Sequence, residues 1–306
     1  MYIPDFTKNV EGFFIGTRNP YFDADRAILS HLTPCPNLTD LHLSIAQTTG
    51  YMVPLDLIPR LFPNLKKLDI PAAEPFVGSL HSLSGLEQLH LRNSCWPNDA
   101  LMPYASIPTL TGIDFLGSWF DPPAIRRLFP TALNRFSNLK FLTIYSLVEG
   151  SEALFNTDSY ELETLRVALE VRYDKYSGEI FTQRALSDLQ DLEISVCVGG
   201  YQHVEGMPAQ QAWDDIISQI TSSIPSLKRL ALLGVPLNPS WVRHLGNLNH
   251  LTFVLLMVEG RASLSNLSDK NRLLNEEKYR ESFYKAFEDV HFENAPEIVV
   301  HVAWAM

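Results

Sequence analysis

The stretches Pro36-Asn37-Leu38-Thr39-Asp40-Leu41-His42-Leu43-Ser44 and Pro63-Asn64-Leu65-Lys66-Lys67-Leu68-Asp69-Ile70 decide the fold, because their shared phrase returns throughout the chain. GLEQLHL occupies 85–91, TLTGIDF 109–115, NLKFLTI 138–144, ELETLRV 161–167, DLQDLEI 188–194, SLKRLAL 226–232 and NLNHLTF 247–253. Each copy reads L-x-x-L-x-L, with Ile, Val or Phe substituting. The closing L-x-L has the side-chain period of a strand, so its two apolar residues share one face and the residue between them takes the other. One such phrase carries no weight; nine in one chain are an internal repeat.

The leading leucines are Leu38, Leu65, Leu86, Leu110, Leu139, Leu162, Leu189, Leu227 and Leu248, spaced by 27, 21, 24, 29, 23, 27, 38 and 21 residues. All but the 38-residue spacing fall in the range of about 20–29 residues that leucine-rich repeats use. The expected fold is therefore α/β: a leucine-rich-repeat solenoid with a curved parallel sheet on its concave side and short helices on its convex side. No single unit could bury its apolar face alone, so stacking makes the core.

Helix signals lie between the strand phrases. Residues 23–32 place Ile28, Leu29 and Leu32 on one face, and 55–62 and 99–104 are shorter segments of the same kind. Asp121-Pro122-Pro123 caps and opens another, and 209–223 carries Trp213, Ile216, Ile217 and Ile220 at helical spacing. Residues 10–15 read as a degenerate first strand. Residues 270–289 read as a charged amphipathic helix with Leu273, Leu274, Phe283 and Phe287, followed by a strand at 297–304. The expected organisation is a single domain over 1–306, with an N-terminal cap at 1–35, repeats at 36–255 and a C-terminal cap at 256–306.

Composition bounds the function. Hydrophobic residues make up 46% and charged residues 19% of the 306 positions, a folded composition. No apolar run reaches the roughly 18 residues of a membrane span, and the N-terminal stretch lacks a signal-peptide core. Neither membrane insertion nor secretion is expected. Cys35, Cys95 and Cys197 are odd in number and far apart. They point to buried thiols in a reducing compartment, cytoplasmic or nuclear. The net charge of -11 opposes a phosphate backbone, so nucleic acid is not an expected partner.

The cadence of Pro34-Cys35-Pro36-Asn37-Leu38, Pro63-Asn64-Leu65 and the L-x-L pairs resembles the leucine-rich half of fungal F-box proteins, over about residues 10–255. The resemblance implies an F-box-type substrate-binding domain that reads a protein. An F-box would precede the repeats, and here they begin almost at Met1. The expectation is thus the substrate-reading half without the ligase-docking half.

Stacking in register turns the outward residue of each L-x-L into a row: His42, Asp69, His90, Asp114, Thr143, Arg166, Glu193, Ala231 and Thr252. The alternation His42-Asp69-His90-Asp114 can be read as a metal site or a carboxylate-oriented His base. It can also be read as a ladder of opposite charges supporting neighbouring strands. The ladder is preferred, because an exposed sheet offers no enclosed pocket. Neither a catalytic residue nor a metal or other cofactor is expected.

Midway along, the face turns apolar and aromatic. Leu116, Phe141 and Tyr145, with Arg166 and Glu193, form the expected partner-binding patch, since aromatic residues and Arg dominate interface energetics. Trp119 lies just beyond its strand. The segments 171–182 and 198–208 break the period and are candidates for the rim. The glycines at 199, 200 and 206 do not make a phosphate loop. The expected function is a non-catalytic, monomeric module that binds a protein or peptide on its concave face. The alternative is a scaffold recruited as an enzyme or small-molecule binder, using the His/Asp row or the aromatic middle.

Overall fold

The computed structural model describes residues 12–16, 33–44, 56–71, 82–92, 107–115, 133, 135–147, 154–171, 179–198, 208–235, 238–260 and 269–304. By backbone packing the chain divides into two compact units, residues 1–145 with 157–160 and residues 146–156 with 161–306.

The described strands of the first unit are β1 (Gly12–Gly16), β2 (Asp40–Ser44), β3 (Lys67–Pro71), β4 (Gln88–Arg92), β5 (Gly112–Phe115) and β6 (Phe141–Leu147), of which Ser146 and Leu147 fall in the second unit. Each pairs in parallel with the next in chain order. The second unit holds β7 (Thr164–Val171), β8 (Asp191–Val198), β9 (Arg229–Val235), β10 (Phe253–Gly260) and β11 (Glu297–Trp304), again parallel and in chain order. Parallel neighbours require a crossover between every pair. Parallel sheet in chain order with few helices fits a solenoid-like α/β fold.

The L-x-L alternation does what its period requires. Leu41, Leu43, Leu89, Leu91, Leu142 and Ile144 are all buried. Before most of these strands a short turn recurs; before β7 the N–H of Leu162 donates to Ala185 O instead. The N–H of Leu38 donates to Cys35 O, Leu65 to Phe62, Leu86 to Leu83, Leu110 to Ile107, Leu139 to Phe136, Leu189 to Leu186 and Leu227 to Ile224. Where the turn is made, the full unit is apolar-x-x-L-x-x-L-x-L, with a buried apolar residue three positions before the leading leucine. Side chains tie successive turns together: Asn64 Nδ2 donates to Pro36 O at 2.8 Å, and Asn138 Nδ2 to Pro108 O at 2.7 Å.

Strand pairing corrects the reading of the ninth copy. In β10, Phe253 pairs with Arg229 and Leu255 with Ala231. The residue that makes the leading turn is Leu251, whose N–H donates to Leu248 O. Leu248 occupies the apolar position upstream, and the strand phrase is Leu251-x-x-Val254-x-Leu256. Thr252 does not belong to the outward row; Leu255 does. Asn294 Nδ2 donates to Asn249 O at 2.7 Å, repeating the same tie before β11.

The described helices are α1 (Leu57–Leu61), α2 (Pro208–Ser223) and α3 (Asp269–Glu288). The expected helices at 23–32, 99–104 and 121–129 lie outside the described residues, as do the side chains of Leu273 and Leu274. In α2, Trp213, Ile216, Ile217 and Ile220 are buried, as their spacing predicts. Trp213 stacks on Trp241 of the 3-10 segment Ser240–Asn247 at 6.3 Å between ring centroids, and Trp241 meets Phe283 of α3 at 6.2 Å. Gly246 sits where a Cβ would come within 3.0 Å of Val290 Cγ1 and 3.1 Å of the His291 carbonyl. Its missing side chain is what lets the segment after α3 approach. Among the described residues, no helix is long and apolar enough to cross a membrane.

Candidate functional site

The outward face of the first unit is polar. Across β2 and β3, His42 Nδ1 lies 2.7 Å from Asp69 Oδ2. Across β4 and β5, His90 Nδ1 lies 3.3 Å from Asp114 Oδ2. The register places His90, Asp114 and Thr143 opposite one another on three successive strands. Thr143 nevertheless ends up only 2% exposed. Its Oγ1 and Asp114 Oδ1 are buried and have no hydrogen-bond partner among the described residues. No group of three or more His, Cys, Asp and Glu side chains positioned to hold a metal ion is found among the described residues.

The members of the expected aromatic patch are distributed as follows. Phe141 is half-buried at the start of β6, and its ring lies beside Gly112, where an added Cβ would meet Phe141 Cδ1 at 3.4 Å. Leu116 and Trp119 lie outside the described residues, as does the side chain of Tyr145. Arg166 and Glu193 belong to the second unit, where Arg166 Nε stands 3.4 Å from Glu193 Oε2 across β7 and β8. The expected rim segments are only partly described. Val171 ends β7, and the 3-10 turn Ile180–Thr182 buries Ile180 and Phe181, so this end of the 171–182 segment is core. Residues 199–207 lie outside the described residues.

The second unit carries a surface that the sequence reading did not assemble. On β9 to β11 the outward positions are Arg229, Phe253 and Glu297; Ala231, Leu255 and Val299; and Leu233, Met257 and His301. Each of these rows is opposed in register, so Ala231, Leu233, Leu255, Met257 and Val299 form one contiguous apolar patch. Met257 is 37% exposed, as few large apolar side chains are among the described residues, and the other four members of the patch are half-buried. The patch ends against a β-bulge after Leu233, where the register shifts and Gly234 takes φ 78°. Glycine alone adopts that left-handed backbone without strain.

Charge borders the patch but cancels locally. Arg229 Nε stands 3.4 Å from Asp191 Oδ2, and its guanidinium carbon lies 4.8 Å from the centroid of the Phe253 ring. The turn phrase by itself leaves two registers open, since Leu245-x-x-Leu248-x-x-Leu251-x-Phe253 fits it as well as Leu248-x-x-Leu251-x-x-Val254-x-Leu256; strand pairing selects the second, which puts Leu255 and Met257 on the outward face. No protein-family model matches the chain, and no curated protein matches it either.

Proposed function

We propose that the chain is a non-catalytic recognition module that binds a protein or peptide on the outward face of its parallel sheet. The observation that carries this reading is the contiguous apolar patch of Ala231, Leu233, Leu255, Met257 and Val299 on β9 to β11. Contiguous apolar surface that stays partly in water, here exposed at Met257 and half-buried at the other four, marks interaction sites, because leaving it there forgoes the free energy of burial. The repeat phrase supports the finer reading, a leucine-rich-repeat domain similar to the substrate-reading half of fungal F-box proteins. The odd, scattered cysteines, with Cys35 a buried thiol that donates to Thr33 O, support a cytoplasmic or nuclear setting.

The test is comparative capture followed by direct binding. Wild-type protein and the double variant Leu255→Asp, Met257→Asp are used as bait in extract from the source organism, with mass spectrometry of what is retained. A partner held by wild type and lost by the variant is then titrated by calorimetry against both. Expected is a loss of at least about tenfold in affinity, as for truncating central apolar anchors. Partners retained equally by both baits would sink the assignment of this face.

A further inference from the structure

We infer that the partner of the patch on β9 to β11 is a polypeptide segment that sets a lysine or arginine beside its large apolar side chains, with Glu297 as the group that receives the cation. The inference rests on the assignment of that patch as the binding surface, and it names the chemistry of what binds there.

The starting point is the one charge on this border that is left over. At the start of β8 to β11 the outward lane runs Asp191, Arg229, Phe253 and Glu297, each opposite the next in register. Arg229 Nε stands 3.4 Å from Asp191 Oδ2, and its guanidinium carbon lies 4.8 Å from the centroid of the Phe253 ring. The cation of the lane is therefore engaged on its β8 side, and the Phe253 position separates it from Glu297. In the next lane Glu193 meets Arg166 at 3.4 Å, so both carboxylates on the β8 side of the patch are matched. Glu297 is exposed, and among the described residues its carboxylate meets neither a cation nor a hydrogen-bond donor. Its backbone N–H donates to Thr252 O at 2.9 Å, which holds the residue in place at the head of β11.

That carboxylate adjoins the apolar surface directly. Phe253 opposes it on β10, and Val299, two residues along β11, opposes Leu255. Opposed residues on neighbouring strands are about 4.8 Å apart, and residues two apart on one strand about 6.6 Å. A lysine or arginine whose head meets Glu297 can therefore lay its aliphatic stem along Phe253 and Val299. Its neighbours in the same segment then cover Leu255 and Met257. A wholly apolar occupant would strip water from Glu297 and supply no counter-charge, which is costly, and an acidic one would add repulsion. A basic residue at that point removes both penalties. An anionic lipid surface and a phosphate backbone are opposed by Glu297 and by the net charge of -11.

The experiment selects a displayed library of random dodecapeptides on the immobilised full chain, after depletion on the double variant Leu255→Ser, Met257→Ser. That variant removes the apolar anchors without adding charge. Selected peptides are expected to combine large apolar residues with a lysine or arginine. The most enriched peptide is synthesised and titrated by calorimetry. Glu297→Gln should weaken its binding about two- to fivefold, the worth of one exposed ion pair. Glu297→Lys should weaken it further, because like charges are then set together. Replacing the peptide's basic residue by glutamate should lose affinity for wild type and regain it on Glu297→Lys, a rescue that a merely structural effect of the substitution would not give. Peptides that need Leu255 and Met257 but are indifferent to Glu297 overturn this inference and leave the surface assignment standing. Failure to select any peptide that tells wild type from the serine variant overturns both. Cosedimentation of wild type, but not of the serine variant, with phosphatidylcholine vesicles would give the patch to a lipid surface and overturn the inference as well.

Discussion

Arg229 of β9 stands directly opposite Phe253 of β10, with its guanidinium carbon 4.8 Å from the ring centroid. This contact places Phe253 on the outward face and turns Val254 and Leu256 inward, where both are fully buried. Leu256→Ala should therefore cost about 2–5 kcal/mol, the usual loss for a buried aliphatic side chain. Phe253→Ala should cost markedly less. Denaturant unfolding of the two variants checks the register, and the reverse order would mean that Phe253 faces the core.

Leu142 is buried at the centre of the β6 phrase. Leu142→Ala should destabilise by about 2–5 kcal/mol. Equilibrium unfolding in urea measures it, and a loss under about 0.5 kcal/mol would contradict its place in the core.

Gly246→Ala should destabilise although the change adds a single methyl group. The new Cβ meets Val290 Cγ1 at 3.0 Å and the His291 carbonyl at 3.1 Å, so backbone has to move. The expected cost is about 1–3 kcal/mol, as for overpacking a filled site. A variant as stable as wild type in a thermal melt would show that the segment after α3 yields without strain.

Arg166→Ala should change stability by less than about 1 kcal/mol, because the Arg166–Glu193 pair is half in water on both sides. The outward ion pairs of β7 to β9 satisfy one another, so partner binding through the neighbouring apolar patch should depend only weakly on salt. Titration of a captured partner at low and high salt tests this. A steep loss of affinity with salt would instead assign the binding to charged groups.

The His42–Asp69 and His90–Asp114 pairs should hold no transition metal. Protein dialysed without chelator and analysed for zinc, nickel and iron should come out near empty. One equivalent of metal that disappears on His42→Ala or His90→Ala would convert the charge ladder into a metal site.

Periodicity alone determined the strands, their parallel order and the inward leucines. An L-x-x-L-x-L phrase repeated nine times leaves one way to bury its apolar face, which is against the next copy. The alternation of histidine and aspartate along the outward row was legible for the same reason, since register converts sequence position into adjacency. Tertiary structure decided the rest. Leu248 and Leu251 both lie three residues from another apolar position, and only pairing with Arg229 and Ala231 chooses between the two phrases. With that choice Leu255 and Met257 move to the outward face, and the apolar patch exists. Burial of Thr143, at an outward strand position, was likewise invisible to the pattern, because parity gives the direction of a side chain and not what covers it. Local alternation fixes which face a residue takes; exposure depends on what packs over that face, which the alternation does not encode.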